Sequence, residues 1–401
     1  MADRNRKPKG PGQTLGEMLA ERGVSRRSFL KFASYTASIL ALPPTAATAI
    51  AEGLAKARRQ SVIWLSFQEC TGCTESITRA SSPSIEDLIF DFISLDYHHT
   101  LQNASGHLAE LAREQAMEEN KGEYLVIVDG SVPLKDDGVY STIAGMTNLQ
   151  MLQDTVRNAK AVISVGSCAA FGGIPGANPN PTGAVAIDEI ITDKPVINIA
   201  GCPPIPEVIT ASLVYTLANG APPPVDGQGR PLFAYGRTIH EHCPRRAQFD
   251  AGRFAREFGD EGHRLGYCLF ALGCKGPETY ANCSTLHFNE TPDLWPIGIG
   301  APCFGCTMKS VGFNKPLFQE GALMPNYVTP IDVDDLSMLY ETRLELEPYA
   351  ARLAATERRL RYARGPPVPR VPKSPRCPTA CRAAPAPTWN STPTSRSTRS
   401  M

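Results

Sequence analysis

The sequence predicts an α/β protein, in which a flavodoxin-like, doubly wound parallel-sheet domain is followed by a largely irregular domain. Two observations predict this fold class. From residue 61 to about 220, short β-branched runs alternate with longer amphipathic segments, as in proteins built from βα units. From residue 226 to 330 the chain is rich in Cys, Gly and Pro and shows little periodicity.

The first 51 residues have the pattern of an export signal. The heptapeptide Ser25-Arg26-Arg27-Ser28-Phe29-Leu30-Lys31 is a twin-arginine pattern, and a mildly apolar stretch follows from Phe32 to Ile50. Small residues at Ala47-Thr48-Ala49 or Ala49-Ile50-Ala51 are candidate cleavage sites. Pro43-Pro44 interrupts the stretch, which is shorter than the roughly 20 apolar residues of a membrane span. We therefore expect the twin-arginine route to export the folded protein, with any cofactor inserted, to the periplasm.

The predicted sheet domain spans residues 52–225. We predict its strands at Val62–Phe67, Tyr124–Asp129, Ala161–Gly166 and Pro195–Ala200. We predict its helices at Ile85–Leu95, His107–Glu119, Thr142–Asn158 and Ile205–Asn219.

Three of the predicted strands run into loops that contain cysteine. The first strand is followed by Cys70 and Cys73, the third by Cys168 and the fourth by Cys202. Because ligands bind outside the carboxyl ends of the strands in open α/β sheets, we expect these four thiols to meet at one edge. The Cys70-x-x-Cys73 spacing alone leaves several chemistries open, since zinc sites, redox motifs and disulfides all use it.

The irregular domain, residues 226–330, lacks the periodic apolar surface of an ordinary core, so we expect metal ligands to staple it. The candidate ligands are His240, Cys243, Cys268, Cys274, Cys283, Cys303 and Cys306. With the four thiols of the first domain they make eleven ligands, which divide as four, four and three. That division suits two 4Fe-4S clusters and one 3Fe-4S cluster, whereas zinc sites made of cysteine take four ligands each. The alternatives are a structural histidine at position 240 and a buried apolar thiol at position 283.

Charge is distributed unevenly along the chain. Residues 32–350 contain 21 basic and 36 acidic residues, which argues against nucleic acid as a partner. The C-terminal extension, residues 331–401, is predicted to be disordered from about residue 351, where eleven basic residues and nine prolines accompany one acidic residue. It contains no apolar span, so we expect no transmembrane anchor after signal removal. Cys377 and Cys381 are predicted to be solvated thiols within it.

The motifs together resemble those of the small, electron-transferring subunit of NiFe hydrogenases, and the resemblance covers the signal and residues 61 to about 330. The motifs are Glu69-Cys70-Thr71-Gly72-Cys73-Thr74-Glu75, Gly166-Ser167-Cys168-Ala169, Asn178-Pro179-Asn180-Pro181-Thr182, Gly201-Cys202-Pro203-Pro204, His240-x-x-Cys243 and Trp295-Pro296 before Cys303-x-x-Cys306.

The resemblance implies a ligand set for each cluster, which the spacing alone does not supply. The proximal 4Fe-4S cluster would be held by Cys70, Cys73, Cys168 and Cys202. The distal 4Fe-4S cluster would be held by His240, Cys243, Cys268 and Cys274. The medial 3Fe-4S cluster would be held by Cys283, Cys303 and Cys306, with Pro296 near the missing fourth ligand.

The resemblance also implies a heterodimer with a NiFe hydrogenase large subunit, which activates hydrogen, and an external acceptor such as a cytochrome or a membrane redox subunit. We find none of the large-subunit motifs that bind nickel, so no hydrogen activation is expected from this chain alone. Glu69 is a candidate for proton transfer or cluster tuning, with a hydrogen-bonding surface carboxylate as the alternative. Oxygen-tolerant relatives carry extra cysteines at positions that match Gly72 and Gly173, so glycine at both predicts a standard, oxygen-sensitive site.

Two other functions remain open on the sequence. One is an iron-sulfur subunit of another redox complex, such as the related quinone-reducing enzymes, which hold only the first cluster on a similar fold. The other is an exported binding protein stapled by zinc or by disulfides, because exported cysteines ordinarily pair in an oxidising compartment.

Overall fold

Five parallel strands form the central sheet of the protein. The computed structural model describes residues 13–288, 291–309 and 311–319. The strands are β1 (Gln60–Ser66), β2 (Ile93–His98), β3 (Leu125–Asp129), β4 (Ala161–Val165) and β5 (Val196–Ile199). Their order in the sheet is β2-β1-β3-β4-β5, which is the doubly wound order of flavodoxin-like proteins. The predicted fold class is confirmed.

The carboxyl ends of four strands lie side by side. Ser66 of β1 is level with Asp129 of β3. Val165 of β4 is level with Asp129 on one side and with Ile199 of β5 on the other. The loops that follow β1, β4 and β5 therefore leave the sheet at the same level, and these are the loops that carry cysteine.

Helices cover both faces of the sheet. The helices are α1 (Leu15–Glu21), α2 (Arg26–Ile39), α3 (Ala46–Lys56), α4 (Gly72–Thr78), α5 (Ile85–Asp87), α6 (His107–Glu119), α7 (Asn148–Val156), α8 (Ser167–Phe171), α9 (Gly173–Gly176), α10 (Pro206–Asn219), α11 (Leu232–Tyr235), α12 (Arg246–Asp250), α13 (Glu261–Arg264) and α14 (Cys283–Leu286). Val62 and Trp64 of β1 pack in the cluster that includes α1, α2, α3 and α10. Ile63 and Leu65 face the opposite way and pack with α6 and α7.

Strand β2 was not predicted, because its first residues were assigned to a helix over Ile85–Leu95. The structure has only the short α5 and a π-helical turn, Leu88–Phe92, before the chain extends into β2. Ile93, Leu95 and Tyr97 alternate with polar residues, which is the period-two pattern of a strand. The dense apolar run just before them resembles a helix face, and it obscured that alternation.

The predicted helix Thr142–Asn158 is wrong in its first third. The structure has a short antiparallel hairpin there, with Ala144 (φ +51°) and Gly145 (φ +82°) in its turn. The hydroxyl of Thr147 then accepts a hydrogen bond from the backbone N–H of Gln150 and caps α7. The predicted helix His107–Glu119 matches α6 at both ends.

The chain after α10 is irregular, as predicted. Between the short helices α11 to α14 it forms 3-10 turns at His240–His242, Phe270–Leu272 and Gly276–Glu278. The predicted disordered extension, with Cys377 and Cys381, lies outside the described residues.

The described part of the predicted export signal forms helices that pack on the sheet domain. At the crossing of α3 and α10, a Cβ added to Gly53 would lie 2.3 Å from the carbonyl oxygen of Ala218. The ring of Phe32 in α2 lies 5.1 Å from the ring of Phe92. Within residues 13–288, 291–309 and 311–319, no helix has both the length and the hydropathy of a membrane span. The export signal and the domain boundaries stay predictions.

Candidate metal centres

Four thiols gather at the carboxyl edge of the sheet. Cys70 and Cys73 flank the turn that opens α4, while Cys168 lies in α8 and Cys202 follows β5. Cys70 is exposed, Cys73 is buried, and the other two are half-buried. The hydroxyl of Ser76 in α4 donates to the carbonyl oxygen of Pro204 at 2.6 Å, which ties the first cysteine loop to the last.

These thiols are close enough to affect one another's ionisation. Burial is the main cause that raises the pKa of Cys168 to about 12, and Cys202 and Cys70 raise it further. Burial also raises the pKa of Cys73, with Cys168 and Cys202 among the further causes. Four thiolates are therefore unfavourable here unless a cationic group neutralises them, as iron does when thiols lose their protons to bind it. The donor set fits a metal-sulfur group.

Glycines leave space beside the sulfurs. A Cβ on Gly166, which has a φ of +92°, would lie 2.4 Å from the sulfur of Cys73. A Cβ on Gly173 would lie 2.5 Å from the sulfur of Cys168. Any larger residue at either position would collide with a candidate ligand, so the backbone here is shaped around the thiols.

Two carboxylates flank this group. Asp129, at the end of β3, is fully buried, and its oxygens make no hydrogen bond of normal geometry within the described residues. Burial and the charge of Glu69 raise the pKa of Asp129 to about 7, although the nearby Cys73 thiol and Thr74 N–H act in the opposite direction. Burial also raises the pKa of Glu69, which accepts a hydrogen bond from the hydroxyl of Thr71 at 3.3 Å. The sequence reasoning missed Asp129, although a polar residue at a strand end between two cysteine loops was the available signal.

A buried histidine, His98, forms a hydrogen bond with a residue of α4. The Nδ1 of His98 accepts a hydrogen bond from the N–H of Thr100, so its Nε2 carries the proton and donates to the hydroxyl of Thr74 at 3.3 Å. Burial, with a further contribution from His99, lowers the pKa of His98 from 6.5 to about 4. The imidazole is therefore neutral in the folded protein over most of the acidic range.

We expect His98 to make the protein less stable on acidification. Its pKa is lower in the folded than in the unfolded chain, so its stabilising contribution is full above pH 6.5 and is lost as the pH falls towards 4. The loss is at most about 3.5 kcal/mol, since one pKa unit corresponds to about 1.4 kcal/mol. His98→Gln should flatten the dependence of the thermal midpoint on pH across this window. His107→Gln, at an exposed position, is the control, and equal slopes in both variants would contradict the assignment.

A second group surrounds a small cavity in the irregular part of the chain. The candidate ligands lining this cavity are His240, Cys243, Cys268 and Cys274. His240 is buried and contacts the ring of Phe249 edge-on at 4.6 Å. Burial, and then the charge of Arg246, lower the pKa of His240, which favours the neutral imidazole that binds metals.

The third group consists of Cys283, Cys303 and Cys306. Burial raises the pKa of all three thiols, to about 12 for Cys283. The charge of at least one other cysteine of the group raises the pKa of each thiol further. The hydroxyl of the buried Tyr235 donates to the carbonyl oxygen of Ala200 at 2.6 Å, and its pKa is raised by burial and by Cys283 and Cys306. Tyr235 thus lies between the loop after β5 and this group.

The three groups adjoin one another. Besides burial, Cys202 of the first group raises the pKa of Cys306 in the third, and Cys274 of the second group raises the pKa of Cys303 in the third. The N–H of Lys275 donates to the carbonyl oxygen of Cys303 at 2.6 Å. The ten cysteines between residues 70 and 306 are free of disulfides, and the described residues contain no trio of Cys, His, Asp or Glu arranged to hold a single metal ion.

Two family profiles match the chain. Residues 70–216 match the family described as NADH ubiquinone oxidoreductase, 20 Kd subunit, and residues 235–319 match the family described as the C-terminal part of the NiFe/NiFeSe hydrogenase small subunit. The hydrogenase-2 small chain of Escherichia coli is 49% identical over 302 residues, which cover 75% of this chain and 81% of that relative. The chain belongs to the NiFe hydrogenase small-subunit family.

Similarity to further proteins supports membership of the NiFe hydrogenase small-subunit family. The periplasmic NiFe hydrogenase small subunit 1 of Nitratidesulfovibrio vulgaris is 46% identical over 306 residues, covering 76% of this chain and 96% of that relative. A solved NiFeSe hydrogenase from Desulfovibrio vulgaris Hildenborough aligns with a TM-score of 0.61 and 33% identity, covering 66% of this chain and 98% of the matched chain. The predicted resemblance and the prediction of a hydrogenase electron-transfer subunit are confirmed. Membership also argues against a binding protein stapled by zinc or disulfides.

Proposed function

We propose that this small subunit transfers electrons between the hydrogen-activating metal centre of a partner large subunit and an external acceptor. The observation that carries the proposal is that eleven Cys and His side chains fall into three adjoining groups, one of them at the exposed sheet edge. An electron relay needs such a series of sites within one chain.

The residues fit a cluster in each group. The proximal 4Fe-4S cluster would be bound by Cys70, Cys73, Cys168 and Cys202, the distal 4Fe-4S cluster by His240, Cys243, Cys268 and Cys274, and the medial 3Fe-4S cluster by Cys283, Cys303 and Cys306. Clusters of these types exchange single electrons when bound. The chain contributes burial that excludes water, glycines that leave room beside the sulfurs, and one neutral imidazole that reduces the negative charge of the distal ligand set.

The large subunit would bind at the sheet edge that carries the proximal ligands. Cys70 is exposed there, and Ile174, directly after Gly173, is 61% exposed. Exposed apolar side chains and an exposed ligand are typical of a surface that a partner covers. The acceptor, such as a cytochrome or a membrane redox subunit, would receive electrons from the distal group. Glu69 stays a candidate for proton transfer or cluster tuning at the proximal edge.

Export by the twin-arginine route to the periplasm is part of the proposal. Arg26 and Arg27 are both exposed at the start of α2, where a transport receptor could reach them. A relative described as periplasmic supports the location. The proposed boundaries are residues 1–51 for the signal, 52–225 for the sheet domain, 226–330 for the medial and distal domain, and 331–401 for the extension.

The proximal cluster is proposed to be of the standard, oxygen-sensitive type. Gly173 has a φ of +55°, and a Cβ there would also lie 2.7 Å from the Cα of Cys168. A Cβ on Gly72 would lie 3.2 Å from the sulfur of Cys70. The described backbone thus leaves no room at position 173 for the extra cysteine that oxygen-tolerant relatives carry.

Metal analysis of the purified heterodimer tests the function. We expect about twelve iron atoms, of which about eleven belong to this chain and the rest to the nickel-iron centre of the large subunit, with acid-labile sulfide and an oxidised-state EPR signal at g of about 2.01 from the medial cluster. The chain purified without a partner should not oxidise hydrogen. Zinc in place of iron, or hydrogen oxidation by the chain alone, would contradict the proposal.

A second candidate function is an iron-sulfur subunit of another redox complex, which the profile match of residues 70–216 favours. That match covers the proximal ligands only, whereas residues 235–319, with the other seven, match the hydrogenase profile. An iron content of about four atoms per chain would favour this second candidate.

A further inference from the structure

We propose that Ser167 is a positioning residue whose hydroxyl joins the proximal and medial ligand loops and thereby sets the contact between the two sites. The proposal rests on the ligand sets of the proposed function. It goes beyond them because Ser167 binds no metal in any of those sets.

The hydroxyl of Ser167 lies between two distant parts of the chain. It donates a hydrogen bond to the carbonyl oxygen of Cys306, 139 residues away, at 2.6 Å. It also accepts a hydrogen bond from the backbone N–H of Gly201 at 3.0 Å. The backbone N–H of Ser167 in turn donates to the carbonyl oxygen of Gly201 at 2.8 Å. Both hydrogen-bonding functions of one side chain, which is only 1% exposed, are thus used.

Each partner of this hydroxyl is next to, or is itself, a proposed ligand. Ser167 precedes Cys168 and Gly201 precedes Cys202, both in the proximal set, while Cys306 belongs to the medial set. Removing the hydroxyl would leave the Gly201 N–H and the Cys306 carbonyl without this buried partner, which costs more than the hydrogen bond itself contributes.

The joined loops meet where the two sites touch. The backbone N–H of Cys202 lies close enough to the Cys306 sulfur to affect its ionisation. With clusters bound, an electron that passed from the proximal to the medial site would oxidise the first and reduce the second, and no bond would form or break. The rate of that step depends on the distance and alignment of the ligand atoms, which the Ser167 hydroxyl holds in place.

Ser164 provides a matched control for Ser167. It lies three positions earlier, in β4, and is fully buried, yet its hydroxyl has no hydrogen-bond partner within the described residues. Replacing either serine by alanine removes one buried oxygen, but only Ser167→Ala should separate the ligand loops.

The test compares Ser167→Ala, Ser167→Thr and Ser164→Ala in the purified heterodimer. Hydrogen exchange is measured in peptides that contain Gly201 and Cys306, and the rate of reduction of the medial EPR signal is measured after rapid mixing with hydrogen. For Ser167→Ala we expect exchange to rise by at least about fivefold in each peptide, because each loses one buried neutral hydrogen bond. Medial reduction should slow while the iron content is unchanged. Ser164→Ala should match the wild type.

Equal exchange in the two alanine variants, with iron intact, would overturn the role of Ser167 and leave the proposed function standing. Absence of iron in the wild-type heterodimer would instead overturn the proposed function. If Ser167→Ala does not yield folded protein, Ser167→Thr decides, because it keeps the hydroxyl. Wild-type exchange in that variant supports the proposal, and raised exchange in both peptides contradicts it.

Discussion

Gly166→Ala is expected to remove the proposed proximal cluster while the fold persists. The added Cβ would lie 2.4 Å from the sulfur of Cys73 and 3.6 Å from a carboxylate oxygen of Asp129, so the thiol must leave its position. We expect the purified heterodimer to lose about four of the about eleven iron atoms that this chain binds, while the iron of the large subunit is retained. Hydrogen-dependent dye reduction should fall by about 10- to 100-fold or more, as when the shell around a metal site is disturbed.

Gly122→Ala separates this collision from backbone strain. Gly122 has a φ of +82°, close to the +92° of Gly166, but a Cβ there would meet no atom within 4 Å. Both variants bear the strain of an alanine in the left-handed region, about 1–2 kcal/mol, so only the contact with the sulfur differs. Iron loss that is equal in the two variants would show that strain, rather than the shape of the proximal site, is responsible.

The sheet and the loops that carry cysteine could be predicted because they depend on local patterns. β-branched runs predict strands wherever they occur, and the carboxyl ends of neighbouring parallel strands meet at one edge whatever the details of the helices. Four of the five strands were therefore predicted to within two residues at either end. The edge strand β2 was not, since its alternation followed an apolar run that suits a helix equally well.

The residues that support the site could not be predicted from local patterns. Asp129 is buried beside Cys73 only because β3 lies between β1 and β4 in the sheet. Ser167 joins two ligand loops only because the fold brings the carbonyl oxygen of Cys306, 139 residues away, within hydrogen-bond distance of its hydroxyl. Such contacts follow from tertiary packing, so the sequence marks the ligand types while the fold selects the atoms around them. The assignment of the seven candidate ligands of the irregular domain to two separate sets likewise came from the family resemblance, because spacing does not say which distant loops meet.

One helix of the predicted export signal contains both candidate cleavage sites. The candidate cleavage sites lie within α3, where Ala47, Ile50 and Ala51 are buried. Proteases cut extended, accessible backbone, so cleavage of the folded precursor requires α3 to leave the domain first. The packing of α3 on α10 therefore controls how readily this segment is cut.

Gly53→Val is expected to release α3 and to expose the cleavage region. The valine Cβ would lie 2.3 Å from the carbonyl oxygen and 3.1 Å from the carbonyl carbon of Ala218, which are backbone atoms of α10 and cannot rotate away. Overpacking of this kind costs about 2 kcal/mol, which corresponds to more than tenfold in the population of the undocked helix. Limited proteolysis of the precursor, read by the masses of the fragments, should show cleavage between residues 42 and 56 accelerated by about that factor. The control is Gly227→Val, because position 227 is exposed, has no left-handed φ and would meet no atom within 4 Å. If the two variants are cut at the same rate, α3 is not held by its crossing with α10, and another contact, such as the ion pair of Arg22 with Asp91, must retain the N-terminal helices.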